Sequence, residues 1–265
     1  MRIVFAKSRV AVCCAVVFLL VAIAAKADNI AFMGTVSGEF GTIDLNTAVF
    51  TLLGNSGVTL AGMAVANATL YGSSYHTSTG ILYSINPTNG SLTTIGTSSL
   101  DIDDFGSTTA GLYAVGVDAN LYSINASTGA PTLIGPTGLG FGSWRSLSTN
   151  SSTLYFADGV NLYTLNTTTG AAMLVGSMGG PEMGAMLVEG GFLYGGQNTS
   201  GLFVDTLDTT TGLATIGPSV TGTSSSFFAL APNPLPTSTP EPSSLLLLGS
   251  GVLGLAGLVR RKVNR

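Results

Sequence analysis

Basic side chains are almost missing from this chain outside its two ends. Of nine Lys and Arg in 265 residues, Arg2, Lys7, Arg9 and Lys26 lie before residue 28, and Arg260, Arg261, Lys262 and Arg265 lie at the far end. Arg145 is the only cation between Asp28 and Pro234, and against twelve acidic residues it leaves that stretch at −11, compared with −4 for the whole chain. Such a surface repels phosphates and anionic headgroups, which excludes nucleic acid as a partner. Cysteine is equally scarce. Cys13 and Cys14 both sit in an apolar segment near the start, so the body has neither a disulfide nor a thiol nucleophile. A single histidine, His76, excludes a histidine-rich zinc site. Ala, Leu and Glu at 3.6-residue spacing are also absent, which argues against helical repeats. Low charge with much Gly, Ser, Thr and Asn is no disorder signature here, because regularly spaced aliphatic and aromatic residues can still build a core.

The basic residues that do exist frame two targeting segments. Arg2, Lys7 and Arg9 precede an apolar run from Val10 to Ala25 and a small-x-small site at Ala25-Lys26-Ala27, which reads as a signal peptide over 1–27 with the mature chain starting at Asp28. Cys13 has almost no apolar segment before it, which disfavours a lipoprotein reading. At the other end, Pro240-Glu241-Pro242 is followed by 17 mostly apolar residues, 243–259, and then by Arg260, Arg261 and Lys262. That length is at the short limit for a membrane span, and Gly249, Gly251, Gly254 and Gly257 weaken it as a helix. The terminal basic cluster would stay cytoplasmic by the positive-inside bias, leaving everything upstream outside. An ordinary single-span anchor has the same topology.

The tail over 240–265 resembles the PEP-CTERM sorting domain of Gram-negative bacteria, carried by Pro240, Glu241, Pro242, Arg260, Arg261 and Lys262 around the apolar segment. The resemblance implies an exosortase-type membrane protease as a partner. It also implies transient membrane anchoring, cleavage near Pro240 to Pro242 and release to the cell surface or extracellular matrix.

Between the ends the chain repeats. Five segments align, FGTIDLNTAVFTLLG from Phe40, LYSINPTNGSLTTIG from Leu82, LYSINASTGAPTLIG from Leu121, LYTLNTTTGAAMLVG from Leu162 and LFVDTLDTTTGLATIG from Leu202. They close on Gly54, Gly96, Gly135, Gly176 and Gly217, at steps of 42, 39, 41 and 41 residues. A period near forty in a strand-rich chain predicts an all-β propeller of about five four-stranded blades. Each unit reads as a hairpin whose first strand ends on Asp44, Asn86, Asn125, Asn166 or Asp208, able to bond its side chain to the backbone two residues on. Gly90, Gly129, Gly170 and Gly212 follow four residues later and supply a positive φ. Ala48 holds that place in the first unit, which predicts an irregular turn there.

Leu-Tyr pairs at Leu70, Leu112, Leu154 and Leu193 mark a further strand before each outer hairpin, and read as blade packing rather than aromatic binding subsites. Gly62 to Ala66 and Gly184 to Val188 read as innermost strands, with small residues suited to a crowded centre. The first unit lacks an innermost strand, and Phe227 to Ala231 is a spare one. Pairing of these N- and C-terminal strands would close the ring over 28–234 and hide both edges. A further degenerate blade or an unclosed stack would give the same local pattern. Residues 235–239, rich in Pro, Ser and Thr, read as a linker.

Candidate site chemistry gathers on the rim formed by loops entering the innermost strands and by loops between second and third strands. It collects Asp101, Asp103, Asp104, Trp144, Arg145 and Glu182 from the first class, and Glu39, His76, Asp118 and Asp158 from the second. Three carboxylates within Asp101–Asp104 fit hard-cation chemistry, so they are the candidate calcium ligands, although the spacing matches no EF-hand and a solvated acidic loop explains it as well. Trp144 beside Arg145 could stack on a sugar or pair with a carboxylate, against an internal ion pair with Asp101, Asp103, Asp104 or Glu182. A body with one His, one Arg, no Lys and no Cys is poorly supplied for a nucleophile and base. The composition therefore favours a non-enzymatic surface or matrix propeller, associated with exopolysaccharide, biofilm or other surface proteins and needing no cofactor. A secreted calcium-dependent hydrolase or polysaccharide lyase is the alternative.

Overall fold

Twenty strands arise from these repeats in a computed structural model that describes residues 29–75, 77, 79–140, 144–198 and 201–233. In chain order they are β1 (Ile30–Thr35), β2 (Glu39–Asp44), β3 (Phe50–Asn55), β4 (Leu60–Ala66), β5 (Thr69–Ser74), β6 (Gly80–Ile85) and β7 (Leu92–Ser98). Then come β8 (Ile102–Thr108), β9 (Gly111–Gly116), β10 (Asn120–Ile124), β11 (Pro131–Pro136), β12 (Arg145–Leu147), β13 (Leu154–Asp158), β14 (Asn161–Leu165) and β15 (Ala172–Ser177). The last are β16 (Met183–Glu189), β17 (Phe192–Gln197), β18 (Phe203–Leu207), β19 (Ala214–Thr215) and β20 (Phe227–Pro232). They form five antiparallel sheets of four: β20-β1-β2-β3 as blade 1, β4 to β7 as blade 2, β8 to β11 as blade 3, β12 to β15 as blade 4 and β16 to β19 as blade 5. This is a five-bladed β-propeller. Among the described residues there is no helix, and so none long and apolar enough to cross a membrane. The signal segment, the linker, the sorting tail and its apolar stretch lie outside the described residues.

The outer hairpins follow directly from the Asx-to-glycine spacing. Asn166 Oδ1 accepts the amides of Thr168 and Thr169 at 2.8 and 3.0 Å, and its carbonyl accepts the Gly170 amide at 2.8 Å. Asn125 and Asp208 hold their turns in the same way. The first turn, expected to be irregular, is not. Asp44 Oδ1 accepts the amides of Asn46 and Thr47, its carbonyl accepts the Ala48 amide at 2.7 Å, and Ala48 takes a φ of 54° beside the 84° of Gly170. The hydrogen bonds impose the left-handed conformation on Ala48 despite its Cβ, at a strain of about 1 kcal/mol.

Four of the five outermost strands also carry a bulge. Leu53, Ile95, Ile134 and Val175 are extra residues in β3, β7, β11 and β15, each just before the closing glycine. A bulge bends an edge strand away from straight pairing and blunts it against association with another chain. The glycine that follows is required by the neighbouring blade. A Cβ on Gly54, Gly96, Gly135 or Gly176 would collide with the carbonyl oxygen of Asn89, Thr128, Thr169 or Thr211 in the next blade's turn. The repeat therefore encodes contacts between blades as well as the turns within them.

Apolar side chains form five clusters, each shared by two neighbouring blades. Phe32 and Phe40 meet Met63 and Ile85 between blades 1 and 2, while Ala31, Met33 and Ile43 meet Leu187 and Val204 between blades 1 and 5. The alternation of a strand sends successive residues to opposite faces, so every blade is apolar on both sides. The Leu-Tyr pairs show the rule: Leu70, Leu112, Leu154 and Leu193 face the preceding blade, and Tyr71, Tyr113, Tyr155 and Tyr194 face the next one. At the centre, Met63, Phe105, Leu147, Met186 and Leu230, one from each blade, line with Asp104 a narrow void that admits no water molecule.

The first and last described strands meet in blade 1. β20 pairs with β1 in antiparallel register, Ala31 with Pro232 and Met33 with Leu230, and it packs against the innermost strands β4 and β16. The boundary between blades 5 and 1 departs from the others. β19 has only two residues, and a bridge between Val49 and Thr221, with Phe50 donating to the Thr221 carbonyl at 2.8 Å, replaces the glycine contact used elsewhere.

Candidate functional site

The rim where the chain enters the innermost strands holds the residues with chemical potential, and a bulge organises it. Ile102 pairs with Gly116 and Asp104 with Val115, which leaves Asp103 outside the β8–β9 ladder. Asp103 and Asp104 thus belong to an innermost strand, where an acidic run suggested a loop. Freed by the bulge, Asp103 reaches across to blade 4 and accepts from Arg145 Nη1 at 2.8 Å. Arg145 opens β12 directly opposite Asp158, to which its Nε donates at 3.2 Å, and its Nη2 donates to the Gly140 carbonyl. The Arg145 side chain is 3 % exposed and its carboxylate partners 14 % and 12 %. Burial works against the charge of Arg145, but Asp103 and Asp158 outweigh it and raise the pKa. The guanidinium is an internal strut between blades 3 and 4, with its fork turned to protein acceptors rather than to the rim.

Asp104 lies deeper, 3 % exposed. Its Oδ1 accepts the Phe105 amide at 2.7 Å, and its buried Oδ2 makes no hydrogen bond of normal geometry. Burial first, and then the Asp103 charge, push its pKa well above the usual carboxylate value, only partly offset by the Phe105 and Leu147 amides and by Arg145. Tyr75 shares this field, its phenol pushed up by burial and by Asp103, Asp104 and Asp101.

Asp103 is engaged by Arg145, and Asp104 faces the closed centre. Among the described residues no three His, Cys, Asp or Glu side chains are grouped to hold a metal ion. Trp144, 37 % exposed, sits beside Arg145, and its carbonyl accepts the Gly159 amide. Glu182 is half-buried ahead of β16, on blade 5. His76 lies outside the described residues.

Other acids are held by hydroxyls and amides, some local and some distant in sequence. Asp118 accepts from Tyr122 Oη at 2.6 Å and Asn120 Nδ2 at 2.8 Å, and although burial alone would raise its pKa, these bonds bring it below the usual value. Glu39 accepts from Thr223 Oγ1 at 2.6 Å at the boundary between blades 5 and 1. Sequence reasoning missed Asp205, which is fully buried in β18 with Oδ2 unpaired, its pKa raised by burial. Its Oδ1 accepts the Gly217 amide at 3.1 Å. The available signal was an acidic residue standing where strand alternation requires a core position.

Comparison with solved structures places this architecture in a known class. A chain in the crystal structure of a nidogen/laminin complex superposes with a TM-score of 0.51 at 12 % identity, covering 76 % of this chain and 97 % of that one. A structural genomics protein of unknown function from Bacteroides thetaiotaomicron superposes with a TM-score of 0.56 at 18 % identity, covering 78 % of this chain and 62 % of that one. At such identities the likeness concerns the fold alone, that of a β-propeller. No curated protein matches the chain. Residues 238–262 match the PEP-CTERM protein-sorting motif. The chain is a five-bladed propeller carrying a PEP-CTERM sorting tail. That motif implies export and processing by exosortase, a membrane protease.

Proposed function

We propose that this chain is a non-enzymatic binding or structural propeller of the cell surface or extracellular matrix, associated with exopolysaccharide in a biofilm. The observation that carries the reading is the sorting motif at 238–262, which begins six residues after β20 ends at Pro232. The signal segment over 1–27 delivers the chain across the inner membrane, the apolar stretch over 243–259 holds it there, and cleavage near Pro240 to Pro242 releases the folded body. Pairing of β20 with β1 is the device that closes the ring. The occupied guanidinium of Arg145 and the water-tight centre around Asp104 support a binding role over a hydrolase or lyase, because a catalytic acid or base must reach substrate. The reading needs no calcium.

The test is an epitope placed in the exposed turn at Ser127, followed by fractionation of cells with and without an active exosortase-type protease. Release to the surface or medium in the first and retention in the membrane in the second is expected. The same distribution in both strains overturns the sorting half of the reading. New reducing ends or unsaturated sugars formed from a polysaccharide panel overturn the non-enzymatic half.

A further inference from the structure

Blade 4 breaks the repeat on the face opposite Arg145. The first two strands of blades 2, 3 and 5 are joined by two residues each, Asn67 and Ala68, Thr109 and Ala110, and Gly190 and Gly191. In blade 4 the joint runs from Ser148 to Thr153, and β12 is only three residues long. The longer segment is fixed to its neighbours. The Thr149 carbonyl accepts the Val188 amide of blade 5 at 3.0 Å, and Asn150, with a φ of 64°, donates from Nδ2 to the Val188 carbonyl and to Glu189 Oε2 at 3.2 Å each. The Ser151 carbonyl accepts the Thr109 amide of blade 3 at 2.9 Å. Drawn sideways in both directions, the loop opens a gap between itself and the outer turn of its own blade.

That gap is a groove of about 640 Å³, within the range of ligand sites. Its floor is Leu154 and Leu165, both buried. Ser152 and Thr153 form one wall, Thr164, Thr167 and Thr168 the other, and the side chain of Met173, 69 % exposed, stands at the edge. Asn166 spends its Oδ1 on the Thr168 and Thr169 amides, so the donor it can offer is Nδ2. No charged residue lines the groove, in a body whose formal charge is −11 from one cation and twelve acids.

We propose that this groove binds a neutral polyhydroxylated ligand, a segment of uncharged polysaccharide. Hydroxyls and one amide match the donors and acceptors of sugar hydroxyls, while the exposed Met173 offers apolar surface to the C–H face of a ring. Carboxylated polymers are disfavoured by the surrounding negative field, because nothing in the groove compensates their charge. The proposal rests on the polysaccharide reading above and names the blade that carries it.

Thr167 and Thr209 occupy the same position in two equivalent outer turns, both exposed, and only Thr167 lines the groove. Isothermal titration of the detergent-purified full chain against dextran and galactomannan oligosaccharides, with alginate fragments as the anionic arm, compares Thr167→Trp with Thr209→Trp. Ser152→Trp blocks the opposite wall as a second variant. The expected result is binding of a neutral oligosaccharide that weakens about tenfold or more in Thr167→Trp and Ser152→Trp and stays within about twofold in Thr209→Trp. If a glycan binds and both groove variants keep wild-type affinity, the groove assignment fails while the polysaccharide reading stands. Tighter binding of alginate overturns the assignment of a neutral ligand. If no glycan binds the wild-type chain, both proposals fall.

Discussion

The two faces of the propeller hold the blades together by opposite means. On the turn face the same contact recurs, a closing glycine under the backbone carbonyl of the next blade's turn, at Gly54, Gly96, Gly135 and Gly176. On the rim the ion-paired link among the described residues joins blades 3 and 4 through the only cation of the body, Arg145, held between Asp103 and Asp158. Repeated contacts share their load, so losing one leaves the others. A unique ion cluster has no substitute, and removing its centre leaves two enclosed carboxylates facing each other. The rim should therefore be the more fragile face.

The largest effect is expected from Arg145→Ala. Breaking an enclosed ion pair by deleting one partner costs about 3–5 kcal/mol, most of it from the uncompensated charge left behind. Urea denaturation should show that loss, and adding Asp103→Asn to the variant should recover part of it. A loss below about 1 kcal/mol would show that the cluster is solvated like an ordinary surface pair and that the contrast between the faces is false.

Gly176→Ala tests the turn face and should rank second. The new Cβ meets the Thr211 carbonyl, which is backbone and cannot turn aside, so a destabilisation of about 2–3 kcal/mol is expected. Gly111→Ala is its control, since nothing lies within 4 Å of a Cβ there and the residue has no positive φ. That substitution should be neutral or slightly stabilising, because alanine has the less entropic unfolded chain. Equal melting shifts for the two would mean that the closing glycines do not set blade spacing.

The two faces were unequally legible in the sequence, and for a physical reason. The turn face was readable because each turn is local: an Asx residue, a glycine four positions on and a closing glycine at a period near forty are visible without knowing what packs where. The rim was not. Asp103 and Arg145 are 42 residues apart, and their contact depends on a bulge in β8 that no composition announces. Asp104 could have been placed by register, since it corresponds to Gly62 and Ala185, which line the same void. Reading the acidic run as a loop hid that correspondence. The groove in blade 4 was missed likewise, because Ser, Thr and Asn around residue 150 look like any other turn in a chain so rich in them.

Asp104 gives the rim a pH signature that the turn face reverses. Burial raises its folded-state pKa, so the folded protein holds the proton more tightly than the unfolded chain, and stability falls as pH rises from the unfolded value through the folded one. Asp208, in an outer turn, is lowered to about 2 by hydrogen bonds from the Thr210 side chain and the Thr210 and Thr211 amides. Its contribution is present above the unfolded value and is lost as pH falls through the folded one. Asp104→Asn should therefore stabilise the chain at pH 8 and do so less at pH 5. Thermal melts across that interval check the sign, and a gain that grows toward acid would refute it.

The smallest effect is expected at Ala48, where the turn face carries its own irregularity. Its φ of 54° is a conformation that glycine adopts freely, and the other four turns use glycine there. Ala48→Gly relieves about 1 kcal/mol of backbone strain but removes a methyl group that is fully buried between blades 1 and 5, worth a similar amount. The two terms nearly cancel, so the melting temperature should move little in either direction. A clear stabilisation would mean that the methyl packs poorly and that the alanine is only tolerated. A clear loss would mean that the boundary between blades 5 and 1 depends on this side chain, as the absence of the usual closing-glycine contact at that boundary leads one to expect.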